Sequence, residues 1–205
     1  MQYDQLASNE SITSTVAKLA EHNVEAIVVA TKADALAKIK ELIPAGASVM
    51  NGASVTLEQI GYIDYLKGGE HGWDNLHAAI VKETDPVKQS ALRQQGVHAD
   101  YYLGSVHALS ETGEFVIASN TGSQLPHIVF TSKNLLFVVG AQKIVPNLTE
   151  AMKRLEEYVV PLENKQSMVK WGAPTQLNKI VIFKGENPHM GRKIRVIIVK
   201  EWLGF

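Results

Sequence analysis

Short apolar runs that alternate with capped amphipathic segments are the feature of this sequence that most restricts its fold. Residues 26–30 (AIVVA) form a continuously apolar run, as in a strand that is buried on both faces. Thr31 and Asp34 follow at the spacing of a helix capping box. Residues 48–50 and 56–66 repeat the order of strand and helix. Because such alternation over short links produces a sheet covered by helices, the pattern predicts an α/β fold with a mostly parallel sheet.

Further elements of both types are predicted along the chain. Residues 11–22 carry apolar side chains at helical spacing and predict a first helix. Asp85 and Pro86 are typical of a helix start, with Asp as the N-cap and Pro at the first helical position. Residues 67–85 predict an irregular insertion that ends in a short helix. Further strands are predicted at 101–104, 115–119, 135–139, 180–183 and 194–199, and helices at 86–95 and from 147 to a stop at 161.

The composition excludes several classes of protein. A length of 205 residues favours a single domain. The chain contains no cysteine, which excludes thiolate catalysis and any iron–sulfur cluster ligated by this chain alone. A net charge of −1 without a concentrated basic face argues against nucleic acid as a partner. Residues 1–10 lack the character of a signal peptide, and no apolar run approaches the about 20 residues that span a bilayer. These features predict a cytoplasmic protein that does not enter the membrane.

The first candidate site is the loop after the second predicted strand, where Asn51, Gly52, Ser54 and Thr56 are candidate ligand-binding residues. Small residues that lead into a helix direct backbone N–H groups and the positive end of the helix dipole at one spot, which favours an anion. In a parallel sheet this spot lies at the carboxyl ends of the strands, where ligands usually bind. The alternative is that these residues only make a turn and cap a helix, with Thr56 and Gln59 as a capping box.

The second candidate site surrounds Glu111, which is predicted to lie in a turn between two strands. Its carboxylate is a candidate base, nucleophile or hydrogen-bond acceptor. The alternative is an ordinary hairpin turn. His107 lies nearby as either a proton donor or a structural side chain. Candidate binding residues of the same region are Gly104, Ser105, Thr112 and Gly113.

Three other positions carry polar groups of interest. Lys143 follows an apolar strand and is either a point charge for a carboxylate or phosphate, or an ordinary surface lysine. Asn120 lies in a polar loop that offers amide donors or is simply solvated. The positive cluster within residues 184–195 could hold a phosphate tail or an acidic partner, but it is too small for DNA. No histidine spacing indicates a metal site.

The order of these segments resembles the LUD domain family of lactate-utilisation (LutC-like) proteins. The matching segments are SVTLEQIG at 54–61, YYLGS at 101–105, ALSETGEFV at 108–116, HIV at 127–129 and VVGAQKIV at 138–145. The resemblance identifies residues 1–205 as a single LUD domain with its core at about 11–200. One departure is Glu58, since many members carry their acid one position later.

The resemblance implies the three-layer α/β/α fold of ribose-5-phosphate isomerase and the CoA transferases (NagB/RpiA-like). In those relatives a glycine-, serine- and threonine-containing loop binds phosphate or CoA, which agrees with a site at residues 51–56. CoA transferases also place a nucleophilic glutamate in this half of the fold. By this analogy Glu111 is the catalytic candidate.

The resemblance implies a component of organic acid metabolism that takes part in the oxidation of lactate to pyruvate. On this hypothesis the chain binds an anionic small molecule but no cofactor, and an iron–sulfur oxidoreductase is its partner and holds the cluster. An alternative is a stand-alone transferase or isomerase for a phosphorylated or CoA-linked small molecule. A third is a non-catalytic sensor or scaffold that forms a homodimer. Whether the chain is an enzyme is left open by the sequence.

Overall fold

The computed structural model describes residues 3–205; Met1 and Gln2, the start of the polar N-terminal segment, lie outside the described residues. The helices are α1 (Asn9–Glu21), α2 (Lys32–Leu42), α3 (Val55–Gln59), α4 (Tyr62–Gly68), α5 (Leu76–Lys82), α6 (Pro86–Gln95), α7 (Leu148–Lys153) and α8 (Val160–Trp171). The strands are β1 (Val24–Val29), β2 (Ser48–Asn51), β3 (Asp74–Asn75), β4 (Tyr101–Gly104), β5 (Ala108–Ser110), β6 (Phe115–Ser119), β7 (Asn134–Gly140), β8 (Ile144–Val145), β9 (Lys179–Phe183) and β10 (Lys193–Val199).

A six-stranded parallel sheet forms the centre of the fold, in the order β1-β10-β7-β4-β2-β3. Helices cover it, so the predicted three-layer α/β/α fold with a mostly parallel sheet is confirmed. A second sheet, in the order β8-β5-β6-β9, is mixed: β6 pairs antiparallel with β5 and β9, whereas β8 pairs parallel with β5. Among residues 3–205 no helix is both long and apolar enough to cross a membrane.

The core lies on both faces of the central sheet and on both faces of the second. Strand β7 is buried from Leu135 onward, and successive side chains enter opposite clusters because a strand alternates its faces. One cluster includes Ile12 and Leu19 of α1, and the other includes Ile39 of α2. A third cluster packs α7 against the second sheet. The central strands are therefore rigid supports for the loops that follow them.

The first strand is less buried than its apolar sequence predicts. β1 pairs only with β10 and is an edge strand, with Val28 39% exposed and Val24 buried. The prediction of a strand at this position is confirmed, but burial on both faces is wrong. An apolar run reports the preference of the side chains and does not report the position of a strand within a sheet.

Two predicted helices differ from the observed ones. Residues 56–66 form parts of α3 and α4, which are separated by Gly61 in the left-handed conformation (φ +80°). The predicted stop at Pro161 is wrong, because α8 continues to Trp171. A π-helical turn, Arg154–Val159, precedes the proline, and such turns absorb irregularities that a uniform α-helix does not. In the predicted insertion, β3 adds a sixth strand to the sheet.

The capping box that begins α2 is confirmed. The Thr31 hydroxyl accepts a hydrogen bond from the Asp34 N–H, and the Asp34 carboxylate accepts one from the Thr31 N–H at 3.0 Å. We expect Thr31→Ala to lower the free energy of unfolding by about 1 kcal/mol, because the first turn loses a partner for its free N–H groups. Urea denaturation measures this loss. An unchanged midpoint would show that α2 is held by packing alone.

Candidate functional site

Four adjacent parallel strands end at the same edge of the central sheet. Strands β10, β7, β4 and β2 are neighbours in that order, so the loops after Val199, Gly140, Gly104 and Asn51 all begin there. This is the edge at which open α/β sheets bind their ligands. The candidate residues from three separate parts of the sequence are thereby brought within reach of one another.

Lys143 is the centre of this edge. It ends a 3₁₀ turn, Ala141–Lys143, that follows β7, and only 3% of the residue is exposed. Its Nζ donates hydrogen bonds to Thr56 Oγ1 (3.1 Å), Ser105 Oγ (3.1 Å) and the Val106 carbonyl (3.2 Å). The structure thus joins three predicted site residues, Lys143, Thr56 and Ser105, and excludes a surface role for the lysine.

The charge of Lys143 has no acidic partner. All three of its acceptors are uncharged, and none of the ion pairs within residues 3–205 includes it. Burial, with a smaller contribution from repulsion by Arg154, lowers the pKa of Lys143 to about 7. Burial therefore destabilises the cationic form of Lys143, and a nearby anion would stabilise it.

Arg154 is a second buried cation that the sequence did not reveal. It lies in the π-helical turn, is 0% exposed, and donates through Nη1 to the His107 carbonyl. Its guanidinium carbon lies 5.2 Å from the centre of the Tyr158 ring. Its Nε and Nη2 have no hydrogen-bond partner, and burial lowers its pKa to about 10. Lys143 and Arg154 thus donate to the carbonyls of two consecutive residues, Val106 and His107, respectively.

His107 is neutral in this environment. Its Nδ1 accepts a hydrogen bond from the Ala118 N–H at 3.1 Å. Burial lowers the pKa of His107 to about 3, and the positive charges of Lys143 and Arg154 act in the same direction. Near neutral pH this imidazole is uncharged, so it does not act as an imidazolium acid, and the structural interpretation is the better one.

The loop at residues 51–56 caps a short helix. Ser54, and not Thr56, is the N-cap, and its hydroxyl accepts from the Leu57 N–H. Helix α3 has only five residues, so its dipole adds little. Asn51 is buried with its Oδ1 unpartnered. A Cβ on Gly52 would lie 2.8 Å from the Tyr102 hydroxyl, so the loop is tightly packed here.

Gln142 and Gln59 connect this edge to the segment after β10. The Gln142 amide binds both backbone groups of Leu203: Nε2 donates to its carbonyl (2.7 Å) and Oε1 accepts from its N–H (3.2 Å). The Gly204 N–H donates to Gln59 Oε1 at 2.7 Å. No local pattern in the sequence indicated these contacts.

Comparison with known proteins agrees with this architecture. A sequence profile described as the LUD domain matches residues 12–199. The chain belongs to the LUD domain family. That family includes lactate-utilisation proteins. A crystal structure of a DUF162 family protein from Deinococcus radiodurans superposes with a TM-score of 0.57 over 95% of this chain and 99% of that chain, at 14% identity. This likeness shows the fold. No curated protein matches the chain.

Other candidate residues of this LUD domain do not contact Lys143. The Glu111 carboxylate accepts a hydrogen bond from the Ser11 hydroxyl of α1, while Thr112 donates to Glu114 Oε2 at 2.5 Å. Gly113 has a φ of +96° and packs against the His22 ring. Within the described residues, the contacts of these side chains are with α1 and their own turn. None of these contacts places Glu111 beside Lys143.

The remaining candidates have partners of their own. Asn120 Oδ1 accepts from Asn178 Nδ2 at 2.8 Å, beyond the end of β6. Gly104 is buried, and a Cβ there would lie 3.2 Å from the Tyr102 ring. Glu58, whose position departs from the family pattern, forms an ion pair with Lys170 at 3.2 Å. In the positive cluster, Arg192 and Arg195 are paired with Glu186 (3.4 Å) and Glu25 (2.8 Å), respectively.

Proposed function

We propose that this LUD domain binds the carboxylate of a small organic acid, lactate or pyruvate, at Lys143 as a component of lactate utilisation. The observation that carries this proposal is a buried lysine without an acidic partner at the carboxyl edge of the central sheet. Membership of a family that includes lactate-utilisation proteins supports the choice of acid.

Electrostatics favours an anion at this position. A buried charge costs much free energy unless it is paired, and Lys143 and Arg154 are both buried without a carboxylate. One bound carboxylate adds a negative charge to a region that holds two positive ones. The ammonium group of lysine is a compact point charge, which suits a carboxylate or a phosphate. A small acid needs less room beside this enclosed amine than a phosphorylated sugar or CoA.

The redox chemistry belongs to a partner in this proposal. Oxidation of lactate to pyruvate releases two electrons and two protons, and iron–sulfur clusters accept electrons through cysteine-held iron. Because this chain has no cysteine, we propose that an iron–sulfur oxidoreductase provides the cluster and that this domain binds the acid. Sedimentation of the two purified proteins tests the association. Separate sedimentation at all concentrations would contradict a stable complex.

Pyruvate is expected to stabilise the protein in a pH-dependent manner. At about 100 times its Kd, a ligand of the folded state raises the free energy of unfolding by about 2.7 kcal/mol. The pKa of Lys143 is about 7 in the folded protein, so the cation that binds the anion is present below that pH and is lost above it. We therefore expect the affinity to fall by about tenfold for each pH unit above 7. Thermal unfolding with pyruvate or lactate from about pH 6 to 9 measures this.

Controls separate the carboxylate from other anions. Lys67→Met removes an exposed lysine of α4 and should leave the ligand response unchanged. Ribose 5-phosphate and acetyl-CoA test the transferase or isomerase alternative in the same assay. Stabilisation by these compounds with no response to pyruvate or lactate would overturn the proposal.

A further inference from the structure

The segment after β10, residues 200–205, folds back over the Lys143 site. Gly204 has a φ of +64°, and a Cβ at this residue would contact Thr56 Oγ1 and lie 3.1 Å from Lys143 Nζ. Backbone of this segment therefore occupies the space directly beside the amine. We call residues 200–205 the strap.

The strap is held differently from the other walls of the site. The last pair in the β1–β10 register is Val29 with Val199, and one further backbone bond joins the Lys200 N–H to the Val29 carbonyl. Beyond it, side chains hold the strap: Gln142 binds Leu203, and Gln59 binds Gly204. Glu201 also accepts a hydrogen bond from the Lys32 N–H at 3.0 Å. In contrast, the loop that carries Lys143 continues directly into β8, which pairs with β5. Because local opening begins where a segment has few ladder bonds, we expect the strap to open more readily than the loop that carries Lys143.

We propose that the strap lifts to admit the organic acid to Lys143 and closes over it, which restricts the site to small acids. This inference rests on the proposed function, because it concerns access to the same site. Lys143 is 3% exposed, so an acid reaches its Nζ only after part of its surroundings moves. Leu203 is buried in the cluster that covers the α2 face of the sheet and supplies the contact that recloses the strap.

Hydrogen exchange tests the strap without reference to any ligand. If the strap opens locally, the amides of Leu203 and Gly204 exchange at least tenfold faster than the amides of β7, which open with the whole molecule. Gln59→Ala should accelerate exchange at Gly204 by a further tenfold or more, because it removes the acceptor of that N–H. Gln94→Ala, on the exposed face of α6, is the matched control and should change nothing. The proposal would be overturned if the amides of Leu203 and Gly204 exchanged as slowly as those of β7 and if Gln59→Ala left their exchange rates unchanged.

Ligand binding supplies a second test of the strap. Pyruvate should slow exchange at Leu203 and Gly204 by at least tenfold. Gly204→Ala, whose Cβ has no room beside Thr56, should hold the strap open and reduce the preference for pyruvate over the larger 2-oxoglutarate by at least fivefold. An unchanged preference together with unchanged strap exchange would overturn the proposal. Local opening in a protein that binds no acid would uphold the strap as a mobile cover and refute the proposed function, so the two failures are distinguishable.

Discussion

Replacement of Lys143 with methionine is expected to reduce the affinity for pyruvate by roughly 10- to 100-fold. A hydrogen bond to a charged group contributes about 1.5–3 kcal/mol, and methionine removes the donor while it retains most of the volume. Calorimetric titration of wild type, Lys143→Met and the exposed control Lys67→Met measures this difference. Equal affinities for the three proteins would show that the acid binds elsewhere.

The same substitution is expected to increase the stability of the unliganded protein below neutral pH. Burial lowers the pKa of Lys143 from 10.5 to about 7, so the unfolded chain holds this proton more tightly than the folded one. The resulting cost is fully present below pH 7 and disappears as the pH rises toward the unfolded value. Each pKa unit corresponds to about 1.4 kcal/mol. Urea denaturation should show an advantage of Lys143→Met near pH 6 that shrinks toward pH 10. If the difference in the free energy of unfolding between Lys143→Met and wild type stayed constant over this pH range, burial would not destabilise the Lys143 cation.

Arg154 is expected to tolerate methionine but not alanine. Arg154→Ala leaves a cavity and a His107 carbonyl without its donor, and we expect a loss of about 3–5 kcal/mol in the free energy of unfolding. Arg154→Met fills most of the space and removes a charge whose Nε and Nη2 have no partner. Exchange of a buried charge for a packed apolar side chain is often close to neutral. Because methionine also leaves the His107 carbonyl without its donor, we expect Arg154→Met to lose about 1–2 kcal/mol, less than Arg154→Ala.

The folded Arg154→Met variant then tests the role of this charge in the site. Because Arg154 repels the Lys143 cation, its removal should raise the pKa of Lys143, although burial keeps that pKa below its ordinary value. The affinity for pyruvate should decrease because one of two positive charges is gone. Calorimetry and the pH dependence of unfolding measure both effects. If Arg154→Met were as unstable as Arg154→Ala and the pH dependence of its unfolding matched that of wild type, Arg154 would be only a structural residue.

The parts of this architecture that follow from local chemistry were predictable. β4 and β6 have the predicted bounds, since each is a short apolar run between turn residues. The meeting of Thr56, Ser105 and Lys143 followed from a general property of parallel sheets, whose carboxyl ends share one edge. Because Lys143 follows a buried strand, its place at that edge was visible in the sequence, whereas its full burial was not.

The parts that depend on distant contacts were not predictable. Gln142 meets Leu203 across 61 positions, and Arg154 meets His107 across 47. Arg154 has an ordinary helical context, and only the packing of α7 against the second sheet buries it. Glu111 occurs in a segment typical of the family, and its carboxylate lies against Ser11 of α1, a contact that the sequence did not indicate. Its catalytic role stays a prediction by analogy with the fold, which is weak evidence for a site.

The most direct test of the account is the side-chain NMR signal of Lys143 during a titration with pyruvate. The Cε resonance reports the charge of the amine and is assigned by its disappearance in Lys143→Met. We expect the free protein to show a pKa near 7 at this residue and saturating pyruvate to raise it by at least one pH unit, because the bound carboxylate stabilises the cation. A Lys143 resonance that titrates at the same pH with and without pyruvate would contradict a carboxylate site at this lysine.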